Sequence, residues 1–337
     1  MFQINQMKGY YAPEELYAER IRLKAEGKPI GLLMLLLLAV NLAVGNIIVL
    51  FLIFTGVITP EATGLPYWGL GNTVYMGVYA VMYICYMALP LIITIGAYRV
   101  KFRPFSEAQP FRFKNTALLV AAGMAFSVLA NFLTSIFLNI LSMFGLNLNN
   151  PIQMMENTVE SYLLNAVVLA VLPCIFEELV FRGFILGSLR RYGDGFAILI
   201  SSLLFGLLHQ NLVQIPFAII LGLGFGFIVV KTGNLWAAII LHFLNNFLSV
   251  TMEYISLNLP EGLYMSVFYS TEIVITLIGL LAVLYMVATK SPLLQPVSGQ
   301  VSPLTKGKQT TALLSHPLMI LTLIGMGITT VINTIMN

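Results

Sequence analysis

The sequence predicts an all-α, polytopic helical membrane protein with about 8–9 transmembrane helices. Of the 337 residues, 58% are hydrophobic and 9% are charged, whereas soluble domains contain roughly 45–50% apolar and 25% charged residues. The mean hydropathy is +0.90. Most apolar residues fall in charge-free runs long enough to cross a hydrocarbon core, which takes about 20 residues. A water-soluble globular protein is therefore excluded.

The chain divides into four stretches. Residues 1–28 mix charges of both signs, which is typical of a cytoplasmic amphipathic or interfacial helix, and they contain no cleavable signal peptide. N-terminal transmembrane helices are predicted in 29–159, a central group in 160–255 and a C-terminal group in 256–337, where the Pro- and Ser-rich stretch 291–311 is a predicted linker. The predicted spans are 30–56, 72–98, 116–145, 162–189, 195–209, 212–230, 234–252, 264–288 and 313–335.

The basic residues predict the orientation. If the N-terminus is cytoplasmic, the 17 Lys and Arg residues fall in or beside cytoplasmic segments, among them Arg99, Lys101, Arg103, Arg112 and Lys114 of the second loop. The C-terminus is then external. A net charge of +3 is too small to indicate a nucleic-acid partner. An integral protein of a prokaryotic plasma membrane fits the modest length and the lack of targeting signals.

Polar groups concentrate in three apolar segments, which carry Glu177, Glu178 and Arg182, then Phe205 and His209, then His242, Asn245 and Asn246. An ionisable group inside a bilayer costs roughly 2.5–3.5 kcal/mol, which makes it a candidate functional residue. Glu178 and Arg182 are four residues apart and share a helix face, whereas Glu177 lacks that partner. Counted from the cytoplasmic helix ends at about 1.5 Å per residue, Glu177, His209, His242 and Asn246 lie near one depth. The sequence therefore predicts an active site between helices.

These residue types suit hydrolysis of a peptide bond. Glu177 next to His209 can hold and deprotonate a water molecule, and His242 and Asn246 can donate hydrogen bonds to a carbonyl oxygen that gains charge. Zinc bound by Glu177, His209 and His242 is the chemical alternative, although the H-E-x-x-H motif is absent. A structural polar network between helices is the other alternative. Ser201, Ser202 and Cys174 are interpreted as packing residues, which disfavours a covalent route.

The three motifs Glu177-Glu178-x-x-x-Arg182, Phe205-x-x-x-His209 and His242-x-x-x-Asn246 resemble those of the CPBP (CAAX protease and bacteriocin-processing, or Abi) family of intramembrane endopeptidases. The resemblance covers roughly 160–255 and implies that Glu177 and His209 activate water while His242 and Asn246 hold the oxyanion. Glu178 and Arg182 match the remaining motif positions. Phe205 and Asn245 are supporting residues, and Asn245 competes with Asn246 for the same role. No cofactor is expected, but earlier descriptions of the family as metalloproteases leave zinc open.

We therefore expect an integral membrane endopeptidase whose partners are the lipid bilayer and a peptide or membrane-protein substrate. A non-catalytic scaffold or bacteriocin self-immunity protein of the same fold is one alternative, and a proton-coupled transporter is another. Two further features bear on the structure. Pro173, one turn before Glu177, is predicted to kink its helix and loosen nearby backbone hydrogen bonds, and Gly222 with Gly226 is predicted to allow close helix packing.

Overall fold

The computed structural model describes residues 11–100, 102, 112–146, 148, 155–295 and 302–336, in which every regular element is helical. The ten helices are α1 (Pro13–Phe54), α2 (Asn72–Tyr98), α3 (Phe113–Met143), α4 (Val159–Tyr192), α5 (Asp194–Leu208), α6 (Gln214–Thr232), α7 (Leu235–Asn258), α8 (Glu261–Ala288), α9 (Lys306–Leu314) and α10 (Pro317–Met336). Within the described residues, eight helices are long and apolar enough to cross a membrane. The predicted fold class is confirmed.

Helix α5 differs from the other apolar helices in its length. Its 15 residues rise about 22 Å at 1.5 Å per residue, which is less than the roughly 30 Å of a hydrocarbon core. The helix ends at Leu208, and Gln210 follows with a φ of 48°, a left-handed conformation that turns the chain. Helix α6 then returns and ends at Gly233, whose φ is 61°. Helix α5 is therefore too short to cross a hydrocarbon core by itself.

Helix α4 is continuous but irregular. Two π-helical segments, Ala166–Val171 and Leu179–Leu186, flank the α-helical stretch Leu172–Glu178. Pro173 lacks an N–H group, so the α-helical hydrogen bond to the carbonyl of Leu169 cannot form. π-Helical turns often mark functional positions in helices. The irregularity predicted at Pro173 thus takes the form of a widened helix on both sides of the acidic pair.

The packing places α4 among α2, α5 and α7, with α6 against α5 and α7. Helix α1 packs instead against α2, α9 and α10. Gly31 allows this contact, because a Cβ there would lie 2.8 Å from the Leu318 Cβ, and Thr322 Oγ1 donates to the Gly31 carbonyl at 3.0 Å. The central helices therefore form the core around α4, and α1, α9 and α10 brace it from one side.

Several predictions concern segments at the edges of the described chain. Residues 11–28 of the predicted N-terminal segment include the start of α1, which continues without a break into the first span. Part of the predicted linker is helical, since α9 occupies Lys306–Leu314. Residues 1–10 and 296–301 lie outside the described residues, as do Lys101 and Arg103 of the second loop.

Candidate active site

The acidic pair of α4 provides the centre of the site. Glu178 is fully buried and its Oε1 accepts a 2.9 Å hydrogen bond from Arg182 Nη1, the ion pair that the spacing predicts. The same oxygen lies 2.9 Å from His242 Nδ1. Because a carboxylate oxygen accepts, Nδ1 carries the proton in this contact. Glu178 thus joins the first and third motifs.

Both terminal nitrogens of Arg182 have hydrogen-bond acceptors, and its guanidinium lies over two aromatic rings. Its Nη2 donates to the Gly222 carbonyl at 3.1 Å, and its guanidinium carbon lies 4.5 Å from the Phe205 ring centroid and 5.0 Å from that of Phe225. A guanidinium over an aromatic face gains cation–π attraction, which is larger when the pair is desolvated. The His242 ring also stacks on Phe225, with centroids 4.8 Å apart. Phe205, predicted as a supporting residue, therefore contacts the charged cluster directly.

Glu177 has a different environment. It is 8% exposed, its Oε1 accepts a 2.7 Å hydrogen bond from the Tyr83 hydroxyl, and its Oε2 lies 3.7 Å from His242 Nε2. Tyr83 belongs to α2 and was not among the predicted site residues. The available signal was the spacing of Tyr79, Tyr83 and Tyr86, which share one face in the middle of a span rather than at a membrane interface.

His209 lies at the end of α5, half-buried beside the first motif. Its Nδ1 is 3.0 Å from the Phe205 carbonyl, so Nδ1 is the donor and Nε2 keeps its lone pair. Its ring meets the Phe205 ring edge-on, with centroids 5.2 Å apart. Among the described residues, no hydrogen bond or ion pair joins His209 to Glu177. Of the two residues of the second motif, Phe205 is the one that contacts Arg182 in the charged cluster.

Asn246 lies one turn beyond His242 on α7. Its Nδ2 donates to the Leu169 carbonyl at 3.3 Å, and its Oδ1 accepts from Asn245 Nδ2 at 3.2 Å. Leu169 is the residue whose α-helical donor is missing because of Pro173. Asn246 therefore donates to the Leu169 carbonyl, which lacks its α-helical donor because of Pro173. This carbonyl lies about two turns before Glu177 on α4.

The donor set does not converge as metal ligands do. Within the described part of the chain, no three His, Cys, Asp or Glu side chains lie close enough together to hold an ion. His242 Nδ1 is engaged by Glu178, His209 is turned to its own helix, and the cationic Arg182 adjoins the acids. The arrangement of Glu177, His209 and His242 therefore does not fit a zinc ion.

A separate cavity of about 380 Å³ lies between α3, α7 and α8. Its lining is almost wholly apolar, with Val120, Ile240, Leu244 and Ile278 among its residues, and it includes none of the predicted site residues. Hydrolysis needs groups that move protons or stabilise charge. The candidate active site is therefore the cluster of α4, α5 and α7 and not this cavity.

Comparison with known proteins agrees with the position of the cluster. Residues 159–248, which contain all three motifs, match the family described as "Type II CAAX prenyl endopeptidase Rce1-like". Among curated proteins, the "Putative membrane peptidase YdiL" of Bacillus subtilis (strain 168) is 30% identical over 102 residues, 30% of this chain and 42% of that protein. The matched region thus spans less than half the length of that relative. No solved structure matches the chain.

Proposed function

Because residues 159–248 place the chain in the CPBP family, we propose that it is an intramembrane endopeptidase that hydrolyses a peptide bond of a membrane-associated protein or peptide. The family resemblance drawn from the three motifs is confirmed by these matches. The observation that carries the proposal is the contrast between two adjacent buried acids. Glu178 accepts hydrogen bonds from Arg182 and His242, whereas Glu177 accepts one hydrogen bond, from the Tyr83 hydroxyl. The Glu177 Oε2 lies 3.7 Å from His242 Nε2, which is beyond hydrogen-bond length and leaves this oxygen available as a base.

The proposed base is Glu177. The Tyr83 hydroxyl fixes Oε1 and leaves Oε2 directed towards the His242 side, where a water molecule can be deprotonated. His209 contributes the second proton acceptor, since its Nε2 lone pair is not engaged by the Phe205 carbonyl. A general base must lie within hydrogen-bond reach of the water that it activates, and contacts in an unliganded enzyme often tighten on substrate binding.

The proposed oxyanion donors are His242 Nε2 and Asn246 Nδ2. Because Nδ1 donates to Glu178, Nε2 can donate to the oxyanion only when both ring nitrogens of His242 carry a proton. Both ring nitrogens then donate, Nδ1 to Glu178 and Nε2 towards the site. Asn246 is held by the Leu169 carbonyl in the resting state, so it has to exchange that acceptor for the substrate.

The proposal is tested by peptide cleavage with the purified protein in lipid nanodiscs. A library of single-span peptides, with and without a farnesylated C-terminus, is incubated with wild type, Glu177→Gln and Glu272→Gln. The control Glu272 is another acid inside a membrane-spanning helix, half-buried in α8. We expect Glu177→Gln to lose about 10²–10⁴-fold in rate, the usual contribution of a general base, and Glu272→Gln to cleave like wild type.

The same cleavage assay with an added metal chelator distinguishes a glutamate-dependent reaction from a zinc-dependent one. Cleavage that depends on Glu177 and is indifferent to chelation supports the proposed glutamate-dependent reaction. Cleavage that is lost on chelation and restored by zinc contradicts it and supports the metal alternative. If wild type and Glu177→Gln are equally inactive on every peptide, the scaffold or self-immunity alternative gains support.

A further inference from the structure

The two sides of the candidate active site differ in chemistry. We call the half of the protein that carries the basic residues Arg190, Arg191 and Lys231 the inner half, and the opposite half the outer half. On the inner side of Glu177, the four helices α4 to α7 meet in side chains that are at most 3% exposed, namely Phe181, Phe184, Ile185, Leu186, Leu189, Phe196, Ile200, Phe225, Ile228, Leu235, Ala238 and Leu241. This apolar layer separates the acids from the inner surface.

The outer side of the site is lined by polar groups instead. Asn245 and Asn246 are half-buried next to His242, and Thr251 and Tyr254 follow on α7. Tyr162 of α4 faces them: its hydroxyl lies 3.1 Å from Thr251 Oγ1, and its ring stacks on Tyr254 with centroids 4.9 Å apart. Polar side chains at membrane depth are costly unless they line water or one another. The polar side chains of α7, together with Tyr162 of α4, thus lie between the acids and the outer end.

Helix α2 continues this polar lining. Tyr83 contacts Glu177, Tyr79 lies one turn further out, and Tyr75 another turn beyond, where its ring meets Tyr67 and Trp68 edge-on at centroid distances of 5.5 and 5.2 Å. The three tyrosines share one helix face because their spacing is i, i+4, i+8. Tyrosine presents a hydroxyl and a ring, which suits a wall that contacts both water and a peptide.

The short helix α5 does not reach the outer ends of α4 and α7. It ends about 22 Å from its inner start, so its polar turn, with His209 and Asn211 half-buried, lies below the outer ends of α4 and α7. On the inner side, the same helix contributes to the apolar layer through Phe196 and Ile200. The turn after α5 is contacted by α10, since Asn333 Nδ2 donates to the carbonyl of the 3% exposed Gln210 at 3.0 Å, so an opening on the outer side lies between α2, α4 and α7.

We propose that the active site is reached by water and substrate through an outer vestibule, lined by the tyrosine face of α2, the polar side chains of α7 and Tyr162 of α4. This inference rests on the proposed function for the nature of the substrate, an extended peptide segment on the side of the membrane opposite the basic loops. With the N-terminus cytoplasmic, that substrate is an exported or extracytoplasmic polypeptide, and a cytoplasmic C-terminal tail does not reach Glu177.

Cysteine accessibility tests the vestibule without any need for catalysis. The chain has two cysteines, Cys85 and Cys174, and both are replaced by alanine. Single cysteines are then introduced at Tyr79 and Thr251 in the vestibule and at Ala238, four residues before His242 on the inner side. Each variant is exposed to a charged, membrane-impermeant methanethiosulfonate from either face of oriented vesicles.

Two further positions serve as controls. Leu277→Cys, on the exposed face of α8, reports a thiol in hydrocarbon, and Lys308→Cys, exposed on α9, marks the inner face. We expect Tyr79→Cys and Thr251→Cys to react from the outer face only, about tenfold or more faster than Leu277→Cys, because the reagent attacks the thiolate and hydrocarbon suppresses thiolate formation. Ala238→Cys should stay unmodified from both faces.

Two outcomes overturn the inference. One is reaction of Ala238→Cys from the face marked by Lys308→Cys, and the other is the absence of reaction at Tyr79→Cys and Thr251→Cys from the outer face. Each single-cysteine variant is also labelled after Glu177→Gln has been added to it. An outer labelling pattern in a protein that cleaves nothing would keep the vestibule and reject the peptidase, so the two proposals fail separately.

Discussion

The two neighbouring acids of α4 occupy opposite environments, although one peptide bond separates them. Glu178 faces the inner region, where Arg182, Phe205, Phe225 and His242 enclose it and leave it fully buried. Glu177 faces the outer region, where its contacts are a tyrosine hydroxyl at 2.7 Å and a histidine nitrogen at 3.7 Å. Adjacent ionisable residues on a helix can therefore have different roles, one structural and one chemical. About 100° of rotation around the helix axis separates their side chains, so they contact different neighbours.

The inner region contains a buried ion pair, Glu178–Arg182. Such a pair contributes little net stability when intact, but removing one partner leaves a charge in a low-dielectric environment. The outer region contains fewer fixed contacts, and several of its side chains, including Tyr83, Asn246 and Thr251, are half-buried. Substitutions in the inner region should therefore act mainly on folding, and substitutions in the outer region mainly on turnover.

The largest effect is expected for Arg182→Met. This change removes the guanidinium but keeps a long apolar side chain between Phe205 and Phe225, so Glu178 loses its ion-pair partner of α4 and keeps only the contact with His242, while the packing is retained. We expect a loss of about 3–5 kcal/mol of stability, the usual cost of breaking a buried pair. Thermal unfolding in detergent measures it.

The matched control is Arg190→Met, which breaks the Arg190–Asp194 pair, also four residues apart and 2.8 Å long but with the arginine side chain 39% exposed. Exposed pairs contribute about 0–1 kcal/mol, so this variant should unfold close to wild type. Equal destabilisation by the two substitutions would show that burial of the Glu178–Arg182 pair has no special role.

An intermediate effect is expected for Gly222→Ala, which perturbs the inner region without removing a charged group. A Cβ at Gly222 would lie 2.9 Å from the Ser202 Cβ and 3.2 Å from Arg182 Nη2. We expect about 1–3 kcal/mol of destabilisation from overpacking. Gly77→Ala in α2 is the control, because nothing lies within 4 Å of its Cβ position, and it should stabilise its helix by about 0.5–1 kcal/mol. Destabilisation by both variants would show that the close approach of α6 to Ser202 of α5 is not the cause.

Much of this arrangement follows from local patterns in the sequence. Apolar runs of about 20 residues predict membrane helices because the hydrocarbon core allows few alternatives. The Glu178–Arg182 pair follows from its i,i+4 spacing, and the grouping of the motifs follows from helix depth. The close packing predicted for Gly222 and Gly226 also has a local cause, the lack of a side chain, since a Cβ at either position would have neighbours within 3.4 Å.

Other contacts depend on which helices become neighbours, and hydropathy alone does not specify that. Tyr83 lies 94 residues from Glu177 in the chain, and its helix has several other tyrosines, so its role was not predictable. The bond from Asn246 to Leu169 needs both a proline-freed carbonyl and the docking of α7 on α4. The π-helical segments around Glu177 likewise reflect packing, because they extend over Leu179–Leu186, beyond the position of Pro173.

The smallest of these effects is expected for Tyr83→Phe, which alters only the outer region. The substitution removes the hydroxyl that fixes Glu177 Oε1 and keeps the ring. We expect kcat to fall about tenfold, or about 1.4 kcal/mol, with KM unchanged, because the lost hydrogen bond orients the base and contacts no substrate. Tyr86→Phe is the control: its ring lies 6.1 Å from that of Tyr83, but Glu177 accepts its hydrogen bond from Tyr83. If both variants slow turnover equally, or if KM rises instead, the tyrosines act through packing or substrate binding, and the outer region has no fixed base.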